Sequence, residues 1–272
     1  YFDIIPFVTS LKTGLMKLNM YRFLFFICLF AYLNSYSQSS VHSFKHGEFL
    51  KYKIQYGVLN AGFASMEIEK TNDANDSLFH AVGLGWTTGM VGFLFPVEDR
   101  YESYFSATEL RPRHFVRKVS EGGYTQDKEV SFDFNANQAK EINHKKGTEK
   151  SYFIQNDIQD MISSFYYMRN FDFQQLKEND SISVNMFFDG KMNPIKLIIL
   201  GRETIKSKFG KIQTIKVRPL VLKGRVFKDE ENVTLWISDD LNKIPVKIKA
   251  SLLVGAAKAE LVEYKGLVHP FP

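Results

Sequence analysis

The sequence is almost without cysteine: Cys28 is its only thiol. That residue lies in an apolar run that reads as the core of an export signal, so the exported part is expected to hold no thiol. Disulfides, a cysteine nucleophile and a thiolate metal site are thereby excluded from that part. Long apolar runs are scarce too. Phe23 to Leu33 falls short of the ~20 residues that cross a bilayer, so no transmembrane segment is expected in the exported chain. Met16 and Met20 are two candidate starts, Lys17 and Arg22 supply a basic lead, and Ser35 and Ser37 are the small residues a signal peptidase requires. Residues 16–37 therefore read as a signal peptide cleaved before Gln38, and residues 1–15 as an upstream extension. Ile27 precedes Cys28 where lipidation needs a small residue, which argues against a lipid anchor. The expected location is the periplasm.

Charge of one sign is also scarce. The net charge is +5, of which Lys12, Lys17 and Arg22 against Asp3 account for +2, leaving +3 for the exported part. Its lysines are mixed with acids, as in Lys228-Asp-Glu-Glu231. No basic stripe with interleaved aromatics appears, so no nucleic-acid partner is expected. Catalytic patterns are missing as well. There is no G-x-S-x-G. Ser163 and Ser164 read as helix-surface residues. Glu129 with Asp133 reads as a solvated strand face, and Asp239 with Asp240 as a turn. His42 and His46, four apart in a polar lead-in, lack the further ligands zinc requires. His80, on an alternating strand, reads as a satisfied core or rim residue. No catalytic residue, metal site or cofactor is assigned.

What is present is apolar content, 44% of residues with 15% aromatic, enough for a globular core without disulfides. Residues 41–267 read as a single β-rich domain and 268–272 as a tail. The dominant period is two, as in Leu50-Lys-Tyr52-Lys-Ile54-Gln-Tyr56, which puts alternate side chains on one buried face. Similar alternation follows at Ala64–Glu69, Leu78–Trp86, Phe115–Ser120, Tyr124–Phe134, Ile182–Met186, Ile195–Leu200, Ile212–Val217, Val233–Ile237, Val246–Ala250 and Ala257–Tyr264. Short Gly- or Asp-rich breaks, such as Glu121-Gly-Gly123 and Asp189-Gly190, favour antiparallel pairing. Asn156–Arg169 differs: Ile158, Met161, Ile162, Phe165 and Met168 share a helical face, and Asn156 with Gln159 resembles a capping box. Gly83 and Gly85, on one strand face beside Ala81, mark the expected seat of that helix. The fold class is mainly β: a large curved antiparallel sheet or partly open barrel wrapping one amphipathic helix.

These features resemble the bacterial family called domain of unknown function 3108. The resemblance runs from Gly47-Glu-Phe-Leu-Lys-Tyr52 and Tyr56-Gly-Val-Leu-Asn-Ala-Gly62 through Val97-Glu-Asp-Arg-Tyr-Glu-Ser103 and Leu110-Arg-Pro112. It continues with Ser164 and Tyr167-Met-Arg169, then Phe209-Gly-Lys211, Leu235-Trp-Ile-Ser-Asp239 and Pro245. It implies an exported protein with a curved β-sheet and adds no catalytic residue.

Candidate binding residues are few. Gly89–Pro96 is apolar and precedes Asp99, Arg100, Tyr101 and Glu102, so Phe93 and Phe95 with Asp99, Arg100 and Tyr101 would form an apolar lip beside a polar rim. Arg169 is expected to pair with Asp99. Trp236 faces away from Leu235 and Ile237 and would line a cavity if its side is the concave one. Asp76-Ser-Leu and Asp180-Ser-Ile resemble an O-glycosylation acceptor, naming Ser77 and Ser181. The expectation is a non-enzymatic envelope protein that binds an apolar or amphipathic ligand, such as a lipid or glycan fragment, or an envelope protein. The alternative is a hydrolase of envelope glycans or peptides, with Asp99, Glu102 and His80 as its candidates.

Overall fold

The computed structural model describes residues 42–73, 76–220, 233–251 and 255–272. The signal-peptide reading of 16–37 and the upstream reading of 1–15 lie outside them. The described residues form fourteen strands: β1 (Glu48–Tyr56), β2 (Leu59–Asp73), β3 (Asp76–Thr87), β4 (Glu98–Ser106), β5 (Pro112–Glu121), β6 (Tyr124–Asp133), β7 (Gln138–Asn143), β8 (Thr148–Phe153), β9 (Ser181–Phe188), β10 (Lys191–Ser207), β11 (Gly210–Leu220), β12 (Val233–Ser238), β13 (Pro245–Ser251) and β14 (Ala256–Lys265). Two short helices accompany them among the described residues, α1 (Gly89–Leu94) and α2 (Met161–Met168).

All the strands join one sheet in the order β8-β7-β6-β5-β4-β3-β2-β1-β14-β13-β12-β11-β10-β9. Neighbours pair antiparallel throughout, as the short connections require. β8 and β9 are the two edges and do not pair, so the barrel stays open. The β9 edge is instead capped by an extended segment: Gln159 N–H donates to Asn185 O, and Phe187 N–H to Gln159 O, each at 2.8 Å. The β9–β10 turn, Asp189-Gly190, takes positive φ at both residues, 49° and 72°. That is the hairpin geometry an Asp-Gly pair is suited to.

Four sequence expectations change here. β4, β7 and β8 are strands that polar-rich alternation hid. The helix begins at Met161 and not at Asn156, because residues 158–160 are drawn out to pair with β9. Its cap is accordingly Asp160 and not Asn156: the Asp160 side chain accepts from Ile162 and Ser163 N–H at 2.8 and 2.7 Å, and Ser163 Oγ accepts from Asp160 N–H at 2.9 Å. Ser163 and Ser164 are buried, so neither is a helix-surface residue.

α2 lies on one face of the sheet, called here the inner face. Its Ile162 and Tyr166 pack with Phe44, Ile68, Phe79, Phe105, Phe115 and Phe132 into the main core. A Cβ on Gly83 would stand 3.1 Å from Ile162 Cδ1 and 3.0 Å from Met66 Sδ, so the absence of a side chain there seats the helix as expected. Gly85 meets nothing closer than Asp99 Cβ at 4.0 Å. A second cluster, Phe173, Ile182, Leu197, Ile199, Ile215, Val217 and Ile237, underlies the β9–β12 half.

Candidate functional site

Directly opposed residues of neighbouring strands share a face, so the register traces what lines the inner face. One row runs Leu235, Ile248, Ala259, Ile54 and Gly62, and the row below it Val233, Ala250, Ala257 and Tyr56. These positions are apolar, mostly small, and only partly buried, except that Gly62 is covered and Tyr56 exposed. They lie toward the rim that carries the β1–β2, β3–β4, β5–β6 and β9–β10 turns, called here the lower rim. The upper half of the inner face is filled by α2; the lower half is left partly open.

The wall facing this apolar surface is polar. A row through Gly83, Tyr101, Arg117 and Lys128 belongs to the same face, with Asp99 beside Gly85 one step lower. Arg117 Nη1 lies 3.1 Å and Lys128 Nζ 2.9 Å from Asp189 Oδ1, which ties the β9–β10 tip to β5 and β6. Against the cost of desolvation, these two cations hold the Asp189 carboxyl below its ordinary range. Arg117 also lies over the rings of Phe188 and Tyr101, at 4.7 and 5.9 Å. Asp99 Oδ1 accepts from Ser120 N–H at 3.1 Å. Partial burial, and then the neighbouring Asp99 carboxyl, push the Glu121 carboxyl upward.

The space beside α2 is small. One apolar cavity of about 60 Å³ lies between α2 and β12–β13, lined by Phe165, Met168, Phe173, Leu197, Leu235, Ile237 and Pro245, with Arg169 and Lys243 at its edge. A cavity that takes benzene measures about 150 Å³. This one is too small for a whole amphiphile.

The sequence candidates divide. Asp99 and Tyr101 do reach the polar wall of the inner face. Arg100 does not: it points outward, its Nε 2.7 Å from Glu102 Oε1. Phe93 and Phe95 stand on and just after α1, exposed, as a lip at the lower rim. Arg169 does not pair with Asp99. It is buried against Glu48, with Nη1–Oε1 at 2.5 Å and Nη2–Oε2 at 2.9 Å, and it donates further to Asn242 O and Ser43 O. Trp236 does not line the interior, because Leu235 and Ile237 hold the inner side. Its ring lies on the outer face between Lys216 and Lys247, and Nε1 donates to Glu203 at 2.6 Å. Ser77 Oγ is shielded from solvent, whereas Ser181 is exposed.

The hydrolase candidates are split across the sheet. His80 and Glu102 meet at 2.8 Å, stacked with Tyr104, on the outer face; Asp99 is on the inner one. Among the described residues, no cluster of three or more His, Cys, Asp or Glu is placed to hold a metal ion. Sequence reading missed Arg117, Lys128 and Asp189, which lie 61 to 72 residues from their ion-pair partners across the sheet. The Asp189-Gly190 turn was visible, but where its tip would land was not.

The profile of DUF3108, a protein family of unknown function, matches residues 51–262. No curated protein matches the chain. A solved β-barrel-like protein of the DUF1849 family from Brucella abortus superposes with a TM-score of 0.54 at 8% identity, over 82% of this chain and 98% of that one. A candidate lipoprotein from Parabacteroides distasonis (14% identity, 82% and 98% coverage) and a candidate exported protein with a YmcC-like fold from Bacteroides fragilis (8%, 82% and 97%) each reach only 0.30. The first likeness supports the β-barrel-like fold and nothing beyond it. Among the described residues no helix is long and apolar enough to cross a membrane.

Proposed function

We propose that this chain, which belongs to the DUF3108 family, is a non-enzymatic exported protein that holds an amphipathic ligand in the open lower half of its inner face. The hydrocarbon part lies on the small apolar residues of β1 and β12–β14, and the polar part faces Arg117, Lys128 and Asp99. The single observation that carries this reading is the division of the inner face: α2 fills the upper half, while Ile54, Ile248, Ala250, Ala257 and Ala259 remain partly exposed below it. Half-buried small apolar side chains opposite charged ones suit a chain with a polar end. The periplasm is the compartment this reading assumes.

The test is a chain-length series of fatty acids, titrated by calorimetry without vesicles. Each buried methylene contributes about 0.8 kcal/mol, so affinity should rise about fourfold per methylene until the groove is full. Ala259→Trp should abolish the rise. Affinity that is flat with chain length, or indifferent to Ala259→Trp, would remove the reading. Calorimetry suits the purpose because Trp86 and Trp236 both face outward, where a ligand of the inner face leaves their emission unchanged.

A further inference from the structure

We infer that the lower rim docks the protein onto a lipid surface, with α1 and the β1–β2 turn as the inserted elements. This goes beyond the ligand reading above and stands without it.

The exposed large apolar side chains are unevenly placed. Of the eleven among the described residues, nine sit at the lower rim: Tyr56, Val58, Leu59, Met90, Phe93, Leu94, Phe95, Tyr124 and Met192. Only Phe153 and Leu241 lie toward the opposite rim. Scattered exposed hydrophobics need no explanation, but a concentration at one end marks a contact surface. Val58 is 95% exposed, Phe93 87% and Met90 76%, and α1 buries none of its residues. Residues 89–96, Gly-Met-Val-Gly-Phe-Leu-Phe-Pro, carry no polar side chain. The two elements are neighbours: Thr88 N–H donates to Ala61 O at 3.0 Å, which ties the start of α1 to the strand that leaves the β1–β2 turn.

The shape of this apolar surface selects the occupant. It consists of projecting turns and not of a groove. A protein partner would need a hollow matched to them, whereas a fluid hydrocarbon layer conforms to any protrusion. Exposed Phe and Tyr at the same level suit the boundary between headgroups and acyl chains. Charge agrees. Lys145 and Lys146 in the β7–β8 turn, Lys191 at the start of β10 and Lys249 near the end of β13 are all exposed beside this rim, against the exposed acids Glu98, Glu149 and Asp189, the last two already paired with Lys140 and with Arg117 and Lys128, and the half-buried Asp99 and Glu121. Such lysines would meet anionic headgroups while the turns enter the layer.

The test places an environment-sensitive fluorophore at Phe93→Cys or, as a control on the opposite rim, at Leu241→Cys, both in the exported chain from Gln38 onward, which holds no other thiol. Vesicles of phosphatidylcholine with phosphatidylglycerol are then added. The expected result is a blue shift at position 93 and none at 241, weakened by salt. In co-flotation with the same vesicles, Phe93→Asp with Leu94→Asp should lower the partition coefficient at least about tenfold, since two apolar side chains lose their burial. Both residues are exposed, so the fold should be unaffected, which a thermal melt checks. An unchanged spectrum at 93, or equal shifts at 93 and 241, would overturn the inference. So would a shift at 93 that grows with protein concentration in the absence of vesicles, since the occupant would then be a second copy of the chain. Failure here is distinct from failure of the ligand reading, whose fatty-acid titration uses no vesicles.

Discussion

Arg169 and Glu48 are both sealed from water, with side-chain exposures of 3% and 0%. Their bidentate contact joins the end of α2 to β1, and two backbone carbonyls, Asn242 O and Ser43 O, take two further guanidinium donors. A buried pair of this kind adds little net stability over an apolar replacement, but breaking it strands a charge. Arg169→Met should therefore cost about 3–5 kcal/mol in urea unfolding, and adding Glu48→Leu should restore most of that loss. If the double variant were as unstable as the single one, the pair would not be the reason. Asp160 is a second buried charge with a different consequence. Burial pushes its carboxyl up to about 6, and hydrogen bonds from Ser103, Ser163 and Ile162 offset this only in part. Its folded pKa is therefore above the unfolded one, so its contribution to stability is fully present below about pH 4 and lost as pH rises through about 6. The loss is of order 3 kcal/mol. Asp160→Asn should flatten the stability profile between those pH values, and parallel profiles for the two proteins would contradict the assignment.

At the scale of elements, the seat of α2 depends on one strand position. Gly83→Val would drive new methyls into Met66 and Ile162 and should cost about 1–3 kcal/mol. Gly85→Val, with open space around it, should be neutral or slightly stabilising, because glycine is a poor strand residue. Equal losses in chemical denaturation would mean that the helix does not press on β3. Period-two alternation made most strands and the helix's seat legible in the sequence. It failed at β4, where Asp99, Arg100 and Glu102 interrupt the apolar signal, and at β7 and β8, which are mostly polar. It misplaced the helix start because Ile158 has helical spacing to Met161 and Ile162, yet the residues beside it hydrogen-bond to β9, a contact no local pattern announces. Alternation also put Trp236 opposite Leu235 and Ile237 without saying which side was inside. The partners of Arg169 and Asp189 were illegible for the same reason: they depend on how distant strands come together.

For the whole molecule, an open fourteen-stranded sheet with its helix in the upper half leaves a lower half that is apolar on one wall and charged on the other. The lip at Phe93 and Phe95 was legible as a run without polar residues, but the wall it borders needed the register of five strands. In the function proposed above, this lower half holds an amphiphile. Native mass spectrometry of the protein isolated from the cells that make it, followed by denaturation and lipid extraction, is the decisive test. The expected result is an added mass of defined value that is released on denaturation as a molecule with a hydrocarbon chain, and that is lost in Ala259→Trp. A bare-chain mass for the unmodified protein, under conditions gentle enough to keep a non-covalent complex, would contradict it.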